Sequence, residues 1–379
     1  MTQDVPEEMS VSESQHKNPA NAGQIVLVLQ GGGANGAYHA GVYEALHEAG
    51  LEPDWVIGTS IGAVNGCLIA GNAPAERLDR IKEFWRRIGE NNIFDFMASF
   101  PLIGRRLPSW AALMNGVEGF FAPNPSAFFG LNWPLPVTMA GLYSTNQLES
   151  TLSDLIDFAQ LAQSPTRLTV GAAHISTGEM RYFDSRDAAL TIRHVMASGA
   201  MPPAFTPISI GDAHYWDGSL LSNSPVETIF DDKPRRSSLV FNVQVWHPHG
   251  ALPESIWEVL IREKEMLFSS ATSSQVKRQK QIHHLRHIVS ELASKLPPEA
   301  RDEEAVRALA AYGCHTQMHV VRLLAPRDTS QDHMGEIDFS RANIRERWMA
   351  GYENTKLALK KAPWERPADP LEGVYLHEF

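Results

Sequence analysis

Along the first 250 residues the chain switches repeatedly between short continuous apolar runs and stretches whose apolar residues recur at helical spacing. Ile25 to Leu29 ("IVLVL") has the pattern of a buried strand, and a helix follows it. Trp55 to Gly58 predicts the next strand, and Ile61 to Ala70 a helix closed by Gly71. A further helix, Ala75 to Gly89, carries Leu78, Ile81, Phe84, Trp85 and Ile88 at helical spacing. After a break the pattern resumes with a helix over Gln147 to Leu161 and a strand "RLTVGAAHI". A paired strand "GEMRYFDS", a helix "AALTIRHVMASG" and a late core strand "SLVFNVQVW" complete it. This alternation predicts an α/β fold, a three-layer α/β/α sandwich with a mainly parallel central sheet.

Three stretches depart from the pattern. The first 22 residues are polar and acidic, without the basic and apolar regions of a secretory signal, and read as a disordered tail. Residues 91 to 141 are rich in Phe, Pro, Gly, Trp and Met, as in "FDFMASFPLIG". Two readings stand for that segment: an insertion packed on the core, or a lid or acyl-chain pocket whose aromatic and Met side chains line a cavity. Residues 251 to 379 form a mostly helical extension. It contains a long charged helix from Pro253 to about Leu296, expected to be interrupted, and a short helix near Glu303 to Tyr312. A helix from Ser340 to about Lys361 closes it, and "MHVVRLLA" is apolar enough to join the sheet of the core at 23 to 250.

Composition narrows the function. A formal net charge of −11 argues against nucleic-acid binding, which needs a net positive face. No run of about 18 apolar residues is present, so contact with membranes is expected only at the surface of a cytoplasmic protein. The two cysteines, Cys67 and Cys314, are too few for a disulfide framework or a Cys-based zinc site and read as buried small apolar residues. Oligomeric state leaves no mark on the sequence.

The candidate chemistry begins at "QGGGANG", where Gly31, Gly33 and Gly36 fit the outline of a dinucleotide-binding loop. Such a site needs an acid at the carboxyl end of the second strand. Asp54 has about the right spacing but stands at the amino end of that strand, and the carboxyl end carries Ser60. Gly58-Thr59-Ser60-Ile61-Gly62 is a G-x-S-x-G between a predicted strand and a predicted helix, the setting of a nucleophile elbow. Gly58, Gly62 and Ala63 supply the small neighbours that such a turn requires. With a serine beside them, the backbone N–H groups of Gly31 to Gly33 and the helix start near Gly36 suit an oxyanion formed in acyl transfer. Ala37, Gly41, Ala45 and Ala49 form a small-residue stripe that would let the following helix lie close to the sheet. Further on, "PISIGDAHYWDG" predicts a hairpin turning at Gly211-Asp212, which fixes Asp217 at the end of its second strand.

Gly-Gly-Gly-Ala-Asn-Gly, Gly-Thr-Ser-Ile-Gly and Asp-Gly-Ser, in that order over residues 25 to 230, resemble the three signatures of the patatin-like phospholipases. "ASGAMPPAFTPI" and the C-terminal stretch "IDFSRANIRERWMAGYENTKLALKKAPW" also resemble sequences of that family, the latter an extension on some bacterial members. The resemblance implies a patatin-like fold and a serine–aspartate dyad needing no cofactor and no metal. Ser60 would be the acylated nucleophile and Asp217 its proton acceptor, with Gly31, Gly32, Gly33, Ala34, Asn35 and Gly36 as the oxyanion loop. Gly58, Thr59, Ile61, Gly62, Gly218 and Ser219 complete the motifs. Ser219 departs from the Gly or Ala usual there, and its hydroxyl would lower the basicity of Asp217 by hydrogen bonding. A free Asp, with a pKa of about 3.9, is a poor base for a serine, and burial beside Trp216 would raise it. A triad completed by His174, His194 or His214 is the alternative.

The implied activity is lipid acyl hydrolysis of carboxylic esters. A catalytically idle lipid-binding or interaction module and a nucleotide-dependent oxidoreductase are the competing classes. "HHLRH" places His283 and His287 one helical turn apart, but with no third ligand visible it reads as a solvated helix face. The Arg pairs at 86–87, 105–106 and 235–236 read as dispersed surface charge.

Overall fold

The computed structural model describes residues 23–90, 107–130, 132–327, 335–367, 369 and 371–379. The tail expected over 1–22 and the "FDFMASFPLIG" stretch lie outside them. The core opens with strand β1 (Gln24–Leu29), helix α1 (Ala37–Glu48), β2 (Trp55–Thr59), α2 (Ile61–Ala70) and α3 (Pro74–Gly89). It continues through β3 (Arg167–His174), β4 (Met180–Asp184), α4 (Ile192–Ser198), β5 (Ile208–Ile210), β6 (Ala213–Asp217) and β7 (Ser238–Gln244). The C-terminal part adds α5 (Ile256–Lys295), β8 (Met318–Leu324), α6 (Arg341–Lys361) and β9 (Val374–Glu378). The strands form one nine-stranded sheet in the order β9-β8-β7-β1-β2-β3-β6-β5, with β4 paired to β3.

From β9 to β3 the pairing is parallel throughout, as the apolar runs predict for strands covered on both faces. Along β1 and β2 alternate residues go to opposite cores. Leu27, Leu29 and Val56 pack with α1, α2 and α3 on one face. Val26, Val28, Trp55 and Ile57 pack with Val226, Ile229, Phe230 and Val276 on the other. "MHVVRLLA" joins the sheet as β8, and a further parallel strand, β9, extends it. The C-terminal part is therefore built onto the edge of the core sheet.

Three local expectations are revised. The helix expected over Gln147 to Leu161 is two, Asn146–Leu155 and Phe158–Leu161. The break is set by Asp157, whose carboxylate caps the N–H groups of Ala159 and Gln160. The long helix is uninterrupted for 40 residues, because no Gly or Pro falls within it and Ser255 caps its start. Finally, Gly41 in the small-residue stripe faces the backbone of α6, not the sheet.

A Cβ on Gly41 would sit 1.8 Å from the carbonyl oxygen of Trp348, and one on Gly351 would sit 2.1 Å from that of Tyr38. The two glycines allow α1 and α6 to cross backbone to backbone, and polar pairs then fix the crossing. The Trp348 indole donates to Glu44 at 2.5 Å and the Tyr352 hydroxyl to Glu48 at 2.6 Å. α1, buried nearly all round, is thereby clasped between the sheet and the C-terminal helix. Gly41→Val is expected to destabilise the protein by about 3 kcal/mol, the upper end of ordinary overpacking, as read by urea denaturation. An unchanged midpoint would mean that the two helices separate without cost.

Candidate active site

The topology itself brings Ser60 and Asp217 together. Gly171 of β3 faces Thr59 on one edge and Tyr182 on the other, while Ala172 faces Asp217 on one edge and Arg181 on the other. β2 and β6 therefore occupy the same edge of β3 and run toward each other. Their carboxyl ends meet at Ser60 and Asp217, 157 residues apart in sequence. The hairpin that delivers Asp217 turns at Gly211, whose φ of +58° suits a glycine.

Ser60 sits at φ 56° and ψ −126°, a strained conformation for a non-glycine residue. Its surroundings hold it there. Its N–H donates to the carbonyl and hydroxyl oxygens of Ser198, at 3.1 and 3.0 Å, and the Ser198 hydroxyl in turn donates to Gly171 at 2.6 Å. A Cβ on Gly58 would meet the Gly62 carbonyl at 2.3 Å, and one on Gly62 the Leu29 carbonyl at 2.1 Å. Both positions accept only glycine. Ser60 is the N-cap of α2, yet its hydroxyl caps no N–H, so the side chain is left for other use.

Asp217 is fully buried. Its Oδ1 accepts the Ser219 N–H at 2.7 Å, and its Oδ2 is buried with no hydrogen-bond partner. Burial pushes its pKa from 3.8 up to about 6, while the Ser60 hydroxyl and Ser219 oppose that rise. The Ser219 side chain lies against the glycine loop, 2.4 Å from where a Gly31 Cβ would be, and its hydroxyl is also buried and unpartnered.

The same hypothetical Cβ on Gly31 would lie 3.0 Å from the Ser60 Cβ, which places the glycine loop directly against the serine. At Gly31 the N–H is not free: it donates to the Asn223 side chain at 2.8 Å, and the Gly31 carbonyl accepts from Trp246 at 2.7 Å. Among the described residues the N–H groups of Gly32, Gly33 and Ala34 have no acceptor, whereas Asn35 donates back to Gly32. Gly36 is tied to α2 through its carbonyl, which accepts from Asn65 at 3.0 Å. Asn223, Trp246, Ser198 and Asn65 were not singled out from the sequence. Ser198 falls within the quoted "ASGAMPPAFTPI", but its role in holding the Ser60 turn has no local signal, and nothing local marks the other three, since each acts on a loop distant along the chain.

Asn223→Ala is expected to lower kcat by roughly tenfold to a hundredfold with little change in KM, because it releases Gly31 without removing a reacting group. Steady-state kinetics on a soluble ester would read it, and an unchanged kcat would show that the loop holds its place unaided.

The histidines stand elsewhere. His194 accepts the Thr191 N–H at 2.9 Å and caps α4, His174 accepts from Thr177 at 3.2 Å, and His214 lies on the β5–β6 hairpin. Among the described residues none of their hydrogen bonds reaches Ser60 or Asp217. Asp54 is at the opposite end of the sheet, where its carboxylate accepts the Ile25 N–H at 2.7 Å. His283 and His287, read as a solvated face, are instead 0% and 4% exposed. A cavity of about 450 Å³ beside Asn35 and Trp246 includes neither Ser60 nor Asp217 in its lining.

Comparison with known proteins agrees with the motif order. The patatin-like phospholipase family model matches residues 27–230, just over half of the chain, and a second, patatin phospholipase, matches residues 266–371. The chain is 45% identical over 71 residues to the putative patatin-like phospholipase domain-containing protein M110.7 of Caenorhabditis elegans, covering 19% of this chain and 6% of that protein. It is 44% identical over 80 residues to lysophospholipase nte1 of Aspergillus terreus, covering 21% and 5%. The chain thus spans only about a twentieth of the length of these curated relatives. VipD of Legionella pneumophila aligns over 89% of this chain and 67% of its own, at 14% identity and a TM-score of 0.37, too low to carry an argument. The match across the glycine loop, the serine turn and the Asp217 hairpin decides the matter: the chain belongs to the patatin-like phospholipase family.

Proposed function

We propose that the protein is a serine lipid acyl hydrolase, working through a Ser60–Asp217 dyad and a covalent acyl-enzyme. The observation that carries this reading is the meeting of an uncapped serine at a strained turn with a fully buried carboxylate whose Oδ2 has no other partner. In the proposed reaction Asp217 accepts the Ser60 proton as Oγ attacks the ester carbonyl carbon. The tetrahedral oxyanion is met by the free N–H groups of Gly32, Gly33 and Ala34, each such donor being worth about 2.7 to 4 kcal/mol. Collapse expels the alcohol, which takes the proton from Asp217. Water, deprotonated by Asp217, then releases the fatty acid and restores Ser60. Gly31, held by Asn223, serves to place the loop.

The test is incubation with phosphatidylcholine vesicles and identification of released fatty acids by mass spectrometry, alongside Ser60→Ala. Release by the wild type alone supports the reading. Vesicle binding without release, equal in both proteins, would favour the idle lipid-binding module.

The substrate surface is proposed to be a lipid interface. Leu220 and Leu221, directly after Ser219, are 44% and 43% exposed, and Trp110 and Met114 on the helix Leu107–Asn115 are exposed, as are Trp133 and Leu142. No helix among the described residues is long and apolar enough to cross a membrane, so such contact would be superficial. Leu220→Ser with Leu221→Ser is expected to weaken vesicle hydrolysis several-fold and spare p-nitrophenyl butyrate hydrolysis. Equal loss on both substrates would place these leucines in the chemistry.

A further inference from the structure

The buried histidines of α5 meet a third ligand that is remote in sequence. Cys314 lies between the helix Glu304–Ala310 and β8, and one ligand atom from each of His283, His287 and Cys314 falls within 4.8 Å of the others. The Cys314 sulfur is 3.7 Å from Nε2 of His283. Zinc bonds of 2.3 Å to sulfur and about 2.05 Å to nitrogen, at the tetrahedral angle, put the same two atoms about 3.6 Å apart. Nε2 of His283 and of His287 also lie 3.2 and 2.9 Å from the Thr316 carbonyl oxygen, and the Thr316 hydroxyl is 3.1 Å from His283.

We propose that His283, His287 and Cys314 form a binding site for a borderline-soft divalent metal ion of the zinc class, with Thr316 or a water as the fourth ligand. Imidazole and thiolate are the donors such an ion selects, and no carboxylate that would suit magnesium or calcium takes part. Both rings lie against the backbone of Gly373, where a Cβ would come within 2.7 Å of His287 Nε2. Nδ1 of His283 is also buried with no hydrogen-bond partner. Arg286 and Arg235 also face His283 and oppose a cation.

The site's place in the fold defines its role. Thr316 and Gly373 precede β8 and β9, at the amino ends of the parallel strands, whereas Ser60 follows the carboxyl end of β2. A strand of about six residues, on the order of 20 Å, separates the two edges. The ion would fasten α5 to the outer strands, and the inference is independent of the hydrolase reading.

Full-length protein stripped with a chelator should bind one equivalent of Co2+, with a thiolate-to-cobalt charge-transfer band that Zn2+ displaces. Cys67, the only other cysteine, is fully buried, so the band reports Cys314. Cys314→Ser should abolish the band and weaken Zn2+ more than about a hundredfold, beyond the loss expected from an outer partner. His287→Gln should likewise lose the metal, which keeps the test decisive if one variant folds poorly. Hydrolysis of a soluble ester should be unchanged in Cys314→Ser. Absence of the band in the wild type, or equal Zn2+ affinity in wild type and Cys314→Ser, would overturn the proposal and leave the histidines as hydrogen-bond donors to Thr316.

Discussion

Ser60→Ala is expected to lower ester hydrolysis by roughly 10⁴- to 10⁶-fold, the loss seen when a nucleophile acting as part of a unit is removed. The fold should be unaffected. The Ser60 hydroxyl caps no helix N–H, and the hydrogen bonds that fix the turn run through the backbone to Ser198, which alanine keeps. The backbone conformation is as strained for alanine as for serine, so the substitution neither adds nor relieves strain. Unchanged circular dichroism and melting temperature, together with lost turnover, is the expected pair of results. Retained turnover would mean that the chemistry lies elsewhere.

Asp217→Asn is expected to lower turnover by about 10⁴-fold, as loss of a buried acid from a serine site does, and at the same time to stabilise the protein near pH 8. The sign follows from burial. The folded carboxyl has its pKa raised from 3.8 to about 6, so the folded state holds the proton more tightly than the unfolded chain. Its contribution to stability is fully present below about pH 4 and is lost as pH rises through about 6. At about 1.4 kcal/mol per pH unit, the ionised form costs on the order of 3 kcal/mol. Asparagine keeps an acceptor for the Ser219 N–H and carries no charge. The stability difference between the variant and the wild type should therefore be large at pH 8 and vanish toward pH 4. In the wild type, kcat/KM should rise with pH through about 6, where the base ionises. A variant less stable than wild type at pH 8 would show that the carboxylate is compensated in the fold.

The elements that deliver the candidate site were legible because their signals are local. A strand, a glycine loop and a helix in "IVLVLQGGGANGAYHAG", the small residues around Ser60, and the glycine at the Gly211 turn each restrict the backbone where they stand. What supports the site was not legible. Asn223 accepts the Gly31 N–H across 192 residues, and Trp246 donates to the Gly31 carbonyl across 215, so neither leaves a pattern in its own neighbourhood. The same holds for Gly41, whose small size is explained by the Trp348 carbonyl in a helix near the other end of the chain. The histidines of "HHLRH" misled because their spacing suits a solvated face as well as a buried one, and only the fold brings Cys314 to them.

The most direct test of the proposed chemistry is the site of covalent modification by a fluorophosphonate, read by intact mass and peptide mapping. The expected result is a single phosphonyl adduct on Ser60, formed more slowly below pH 6 and absent from Ser60→Ala. An adduct on a different residue, or no adduct on folded protein that still hydrolyses esters, would contradict the dyad.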